Sequence, residues 1–155
     1  MVTRALLCVG LVVLAGSAPA DEKSDAVAKE VKLLEEKVWV AVAKADRGGQ
    51  EEKVPDDMRT TLVFGGGKAT LKNVALTVEL LDVKIDPTAK PKTIDCHFKL
   101  GDERSVVAGL YELKGDELRI AVNLSTTGKV ERPKNFEDCT MRIVFAGKEK
   151  EKPKK

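Results

Sequence analysis

The hydrophobic positions of this chain follow two different periods. From residue 25 onward, Ala26, Ala28, Val31, Leu34 and Val38 recur two to four positions apart with Glu and Lys between them. That spacing predicts a short amphipathic helix over residues 25–37, and Ser24 or Asp25 is suited to cap its start. Trp39, Val40, Ala41 and Val42 then read as strand, and the stretch through Gly48, Gly49, Glu51, Glu52 and Pro55 as a polar connection. After residue 60 the period becomes two. Leu62 and Phe64 alternate with Thr61 and Val63, and Gly65-Gly66-Gly67-Lys68 turns the chain into residues 69–72. Residues 75–85 form a longer apolar run closed by Asp86-Pro87. In residues 93–100, Ile94, Cys96, Phe98 and Leu100 face one way and Thr93, Asp95, His97 and Lys99 the other, as successive side chains of a strand do. Residues 105–113, 118–124 and 140–146 read alike: Leu118, Ile120, Val122 and Leu124 share one face, and Met141, Ile143 and Phe145 another.

About seven or eight short strands, punctuated by Gly, Asp and Pro, are the spacing of an antiparallel sandwich or barrel. One apolar face per strand fits a sheet with one wet side. Closure into a barrel removes the unpaired edges that invite aggregation. The expected fold is therefore mainly β, an up-and-down barrel of about eight strands preceded by a short helix.

The first twenty residues stand apart. Arg4 precedes an apolar run over residues 5–15, too short for the ~20 residues a membrane-spanning helix needs. Gly16-Ser17-Ala18-Pro19-Ala20 follows, and charge begins at Asp21. This order is that of a secretory signal peptide cleaved between Ala20 and Asp21. Cys8 lies inside the apolar run rather than at the cleavage point, which argues against a lipid anchor. The expected product is exported, periplasmic or extracellular, with one domain over residues 21–147 and a basic, disordered tail over residues 148–155. No other stretch is apolar enough to cross a membrane as a helix.

Composition sharpens this by exclusion. The net charge is +2, but Arg4 belongs to the signal segment and the tail holds five Lys against two Glu, which leaves the body at −2. One His excludes a three-histidine zinc site and a two-histidine iron site. Six aromatics spread singly, on a body without basic excess, do not make a nucleic-acid surface. Trp39, Phe64, Phe98, Tyr111, Phe136 and Phe145 read as core fillers.

Few residues carry candidate chemistry. Cys96 and Cys139 are the cysteines of the mature chain, and an oxidising compartment permits a bridge. In an up-and-down order two strands lie between theirs, so two buried thiols are the other reading. Asp95 and His97 flank Cys96 on the wet face and make an incomplete metal set. Gly65-Gly66-Gly67-Lys68 lacks the Ser or Thr after Lys that a phosphate loop needs, since Ala69 follows, and reads as a hairpin turn. Glu51-Glu52 and Asp56-Asp57 lie in a polar loop without apolar shielding. No catalytic, cofactor or metal residue is assigned.

Three segments carry a family likeness: DPTAKPKTID from Asp86 to Asp95, GLYELKGDEL from Gly109 to Leu118, and ERPKNF from Glu131 to Phe136. In order and spacing they resemble a planctomycete-type secreted domain of unknown function, over residues 34–145. Lys37 stands two residues before Trp39 where that family usually has Gly. The resemblance implies a lipocalin-like barrel and no reaction. It makes Pro87 and Pro91 loop stiffeners, Gly115-Asp116 a hairpin turn, and Arg132 a partner for a carboxylate near the barrel end. Two functions follow as expectations: a non-catalytic exported module holding a small apolar ligand, or a structural or protein–protein interaction domain of the cell envelope. A cavity of a few hundred Å³ separates them.

Overall fold

A computed structural model describes residues 20–100, 102–124 and 131–150. Helix α1 (Ala20–Glu35) leads into nine strands: β1 (Lys37–Asp46), β2 (Glu52–Lys53), β3 (Thr61–Gly65), β4 (Lys68–Lys72), β5 (Thr77–Asp86), β6 (Thr93–Leu100), β7 (Glu103–Lys114), β8 (Glu117–Val122) and β9 (Met141–Glu149). Each of β3 to β8 pairs antiparallel with the next, β1 pairs with β3, and β9 returns to pair with β1. Eight strands thus close into an up-and-down barrel, the architecture expected from the period-two pattern. The ninth, β2, lies beside Ala43 and Lys44 of β1, beyond the end of β3. With a single 3-10 turn at Asp56–Met58 it gives structure to the connection read as merely polar.

The tight hairpins are set by glycine. Gly66 and Gly67 at φ 61° and 73° join β3 to β4, and Gly115 at φ 58° joins β7 to β8, conformations that residues with a Cβ rarely adopt. Between these turns the alternation works as read. Leu62, Phe64, Ala69, Ile94, Tyr111, Leu118 and Phe145 meet inside the barrel with Trp39 and Leu34.

Several boundaries differ from the expected ones, for physical reasons. Ala20 and Asp21, the residues flanking the expected cleavage point, open α1, and the helix stops at Glu35 because Lys37 already pairs with Glu149. Strand β1 reaches Asp46 because β9 pairs along its whole length. That pairing takes Lys148 and Glu149, read as tail, into the barrel wall opposite Val38 and Lys37. The register shifts between Ala41 and Ala43 and between Leu80 and Asp82, a β-bulge that resets which face each following residue takes. The segment before Ala20, expected to be a signal peptide, the loop through Gly128 and residues 151–155 of the expected tail lie outside the described residues. No described helix is long and apolar enough to cross a membrane.

Helix α1 closes one end of the barrel. Leu34, 2% exposed, enters the core, and its carbonyl accepts a hydrogen bond from Trp39 Nε1 at 2.9 Å. Lys92 donates to both Glu30 oxygens at 2.6 and 2.9 Å, Gly66 N–H donates to Glu35 at 2.7 Å, and Lys23 pairs with Asp86 at 2.7 Å. These contacts lie where β3, β5, β7 and β9 end. The antiparallel order puts the opposite ends of the same strands, with the starts of β5, β7 and β9 and the end of β8, at the other mouth.

Candidate functional site: an apolar cavity in the barrel

Above the core the barrel interior is not filled. A cavity of about 240 Å³ lies between the core and the mouth away from α1. Its floor is Phe64, Ile94 and Phe145, all buried. Its walls include Leu71 and Leu80 on β4 and β5, Cys96 on β6, Val107 on β7, and Ile120 and Ile143 on β8 and β9. Val78, Phe98, Leu124 and Met141 line it nearest the mouth. Among the described residues every lining side chain is apolar, and the only heteroatoms are the sulfurs of Cys96 and Met141. A lone water at its floor would find none of the two to four polar partners it needs among the described lining side chains.

The cavity follows from the choice of inward residues. Val78, Val107 and Val122 among the lining residues are short and β-branched, whereas Trp39, Tyr111, Phe64 and Phe145 are gathered toward the helix end. Bulky side chains seal the floor, and short ones leave the upper barrel open. An eight-stranded barrel has room for one small ligand when its side chains leave that room.

The Cys96 thiol faces this space, and burial pushes its pKa up to about 12, with Asp95 adding to the rise. It is protonated at neutral pH and a poor nucleophile there. Asp95 and His97 point outward. Asp95 is held by Arg132 at 2.6 Å, the carboxylate partner expected for that arginine, and His97 lies with Asp82 and Arg104 at the outer surface. Among the described residues no group of three or more His, Cys, Asp or Glu is placed to hold a metal ion.

Cys139 lies elsewhere. It packs outside the wall with Leu110, Ala121 and Phe136, and its thiol donates to the Phe136 carbonyl at 3.3 Å. Both cysteines are free, separated by the barrel wall. The segment carrying Cys139 is strapped down by Arg132 to Asp95, by Arg142 to the Phe136 carbonyl at 2.9 Å, and by Thr140 N–H to Asn123 at 2.9 Å. Gly65-Gly66-Gly67-Lys68 is a hairpin turn, as its missing hydroxyl predicts. Glu51, Glu52, Asp56 and Asp57 are exposed, with Glu51 paired to Arg142 at 3.2 Å and Asp56 to Arg59 at 2.6 Å.

Four of the six aromatics, Trp39, Phe64, Tyr111 and Phe145, are buried core fillers as read. Phe98 instead lines the cavity near its mouth, and Phe136 packs on the outer face. Sequence reasoning missed the polar cluster at the helix end. Burial and the Glu30 carboxylate both push the Tyr111 phenol pKa up, and the Lys92 ammonium sits 5.8 Å from the centre of its ring. No short-range signal links Glu30 to Lys92 across 62 positions. Compared with family models, with curated proteins and with solved structures, the chain matches none.

Proposed function

We propose that the protein is an exported, non-catalytic module that holds a small apolar ligand inside its barrel. The observation that carries this reading is the apolar cavity of about 240 Å³, open at one end and closed off by α1 at the other. A cavity of about 150 Å³ lined by aliphatic and aromatic side chains already binds benzene, so the room here exceeds that threshold. The absence of reaction in this proposal rests on the Cys96 thiol, protonated and turned away from His97. Export to the periplasm or the medium rests on the order of charge, apolar run and small residues in the first twenty positions. The resemblance to the planctomycete-type secreted domain agrees with both.

The test is a calorimetric titration with benzene, which is small enough to fit whatever the cavity's shape. Saturable one-to-one binding is expected in the parent protein. Val107→Phe, which adds a ring to the cavity wall, should weaken binding at least tenfold while leaving the circular dichroism spectrum of the barrel intact. No saturable binding to the folded parent would overturn the proposal and favour the envelope interaction domain.

A further inference from the structure

Resting on the reading of the barrel as an apolar binding site, we infer that the ligand is an unbranched aliphatic chain of about ten carbons, entering methyl end first with its polar group outside the mouth. The size comes from volume. If benzene's six carbons occupy a cavity of about 150 Å³, the same filling gives about ten carbons here.

The shape comes from depth. On β6 the lining runs from Ile94 at the floor through Cys96 to Phe98 near the mouth. That is roughly 13 Å of strand rise, or about 10 Å along the barrel axis once a tilt near 40° is allowed for. A volume of about 240 Å³ spread over that depth leaves a cross-section of only roughly 25 Å². The space is a narrow well, deeper than it is wide.

The orientation comes from polarity. Among the described residues no lining side chain offers an N–H, an O–H or an oxygen. A hydroxyl, amide or carboxylate pushed to the floor would lose its water and gain no partner. The polar end of a ligand is therefore confined to the mouth. There the apolar path continues outward: Leu124 lines the cavity and is 52% exposed, and Leu76, on the turn between β4 and β5 at the same end, is 57% exposed. These side chains give the last carbons of a chain something to lie against before its polar group meets water.

The experiment uses primary alcohols of six to fourteen carbons with the folded mature protein. Affinity should rise about fourfold with each added carbon up to about ten, the gain expected per buried methylene, and flatten beyond it. Two further ten-carbon probes test shape and orientation. 1-Adamantanol, a compact cage, and 1,10-decanediol, with a hydroxyl at both ends, should each bind at least tenfold more weakly than 1-decanol. If affinity does not depend on chain length, or if the cage or the diol binds as tightly as 1-decanol, the inference is overturned. Should benzene bind in that same protein, only the linear, methyl-first ligand is lost. Should benzene fail as well, the apolar-site reading falls with it.

Discussion

Trp39 ties the helix to the barrel, and replacing it with Phe tests that tie. Its indole is fully buried, its Nε1–H donates to the Leu34 carbonyl at 2.9 Å, and its six-membered ring lies against Gly147 on β9. Trp39→Phe removes the hydrogen bond and leaves a helix-end carbonyl without its partner, costing about 1–2 kcal/mol. It also removes buried ring atoms, which adds roughly 1–2 kcal/mol through lost burial and an unfilled cavity. The expected loss is about 3 kcal/mol, a large share of the stability of a domain of this size. Gly147 supplies an internal control. A Cβ there would stand 3.0 Å from Trp39 Cζ3 and 3.3 Å from Cη2, with Lys37 Cδ at 2.8 Å able to swing away. Gly147→Ala should therefore cost about 1–3 kcal/mol in the parent and clearly less once the indole is gone. The assay is urea unfolding of both single variants and the double variant, followed by far-ultraviolet circular dichroism because Trp39 is the sole tryptophan. A loss below about 1 kcal/mol for Trp39→Phe, or strictly additive costs in the double variant, would refute the packing described for the helix end.

Three other outcomes follow from the same structure. Gly109→Ala would place a Cβ 2.9 Å from the Ala121 carbonyl oxygen and 3.0 Å from Val122 Cγ1, so it should lower stability by about 1–3 kcal/mol in a thermal melt, and a neutral result would contradict the close approach of β7 to β8. Asp86 is held near pKa 2, first by its hydrogen bond from Lys23 and then by Thr88; its folded pKa lies below its unfolded one, so its contribution is present above about pH 4 and fades as pH falls toward 2. Asp86→Asn should flatten the acid limb of the stability curve in that window, by a modest amount because Lys23 is half exposed, and an unchanged slope would contradict the pairing. Cys96, protonated and enclosed, should react with iodoacetamide at pH 8 far more slowly than in urea, and 1-decanol should slow it further; equal rates in folded and unfolded protein would place the thiol outside the cavity.

Much of the barrel is legible in the chain because an inward face needs only alternation. Ile94, Cys96 and Phe98, Ile120 and Val122, and Met141, Ile143 and Phe145 share faces in the sequence and share the cavity in the structure. The bulges mark where that legibility stops. Residues 75–85 read as an unpatterned apolar run because the irregularity between Leu80 and Asp82 moves Val83 and Ile85 onto the inward set. The one between Ala41 and Ala43 likewise interrupts the alternation of β1. The cavity itself is a difference between the volume of the barrel and the volume of its fillers, and no local pattern encodes that difference. The same holds for the pairs Glu30–Lys92, Lys23–Asp86 and Asp95–Arg132, whose partners are brought together only by closure of the sheet. Cys139 shows the limit from another side: it is buried, but no local pattern tells that it packs on the outer wall against Leu110 and Ala121.

Whether a ligand is held within the barrel, on the side away from the helix, is decided by nuclear magnetic resonance on methyl-labelled protein with bound 1-decanol. Intermolecular contacts are expected from the ligand's terminal methyl to Ile94 at the floor, from its middle carbons to Val107 and Ile120, and from carbons near its hydroxyl to Leu124. Contacts confined to exposed side chains such as Val74 and Met58, with the methyls of Ile94 and Ile120 unshifted at saturation, would contradict that placement.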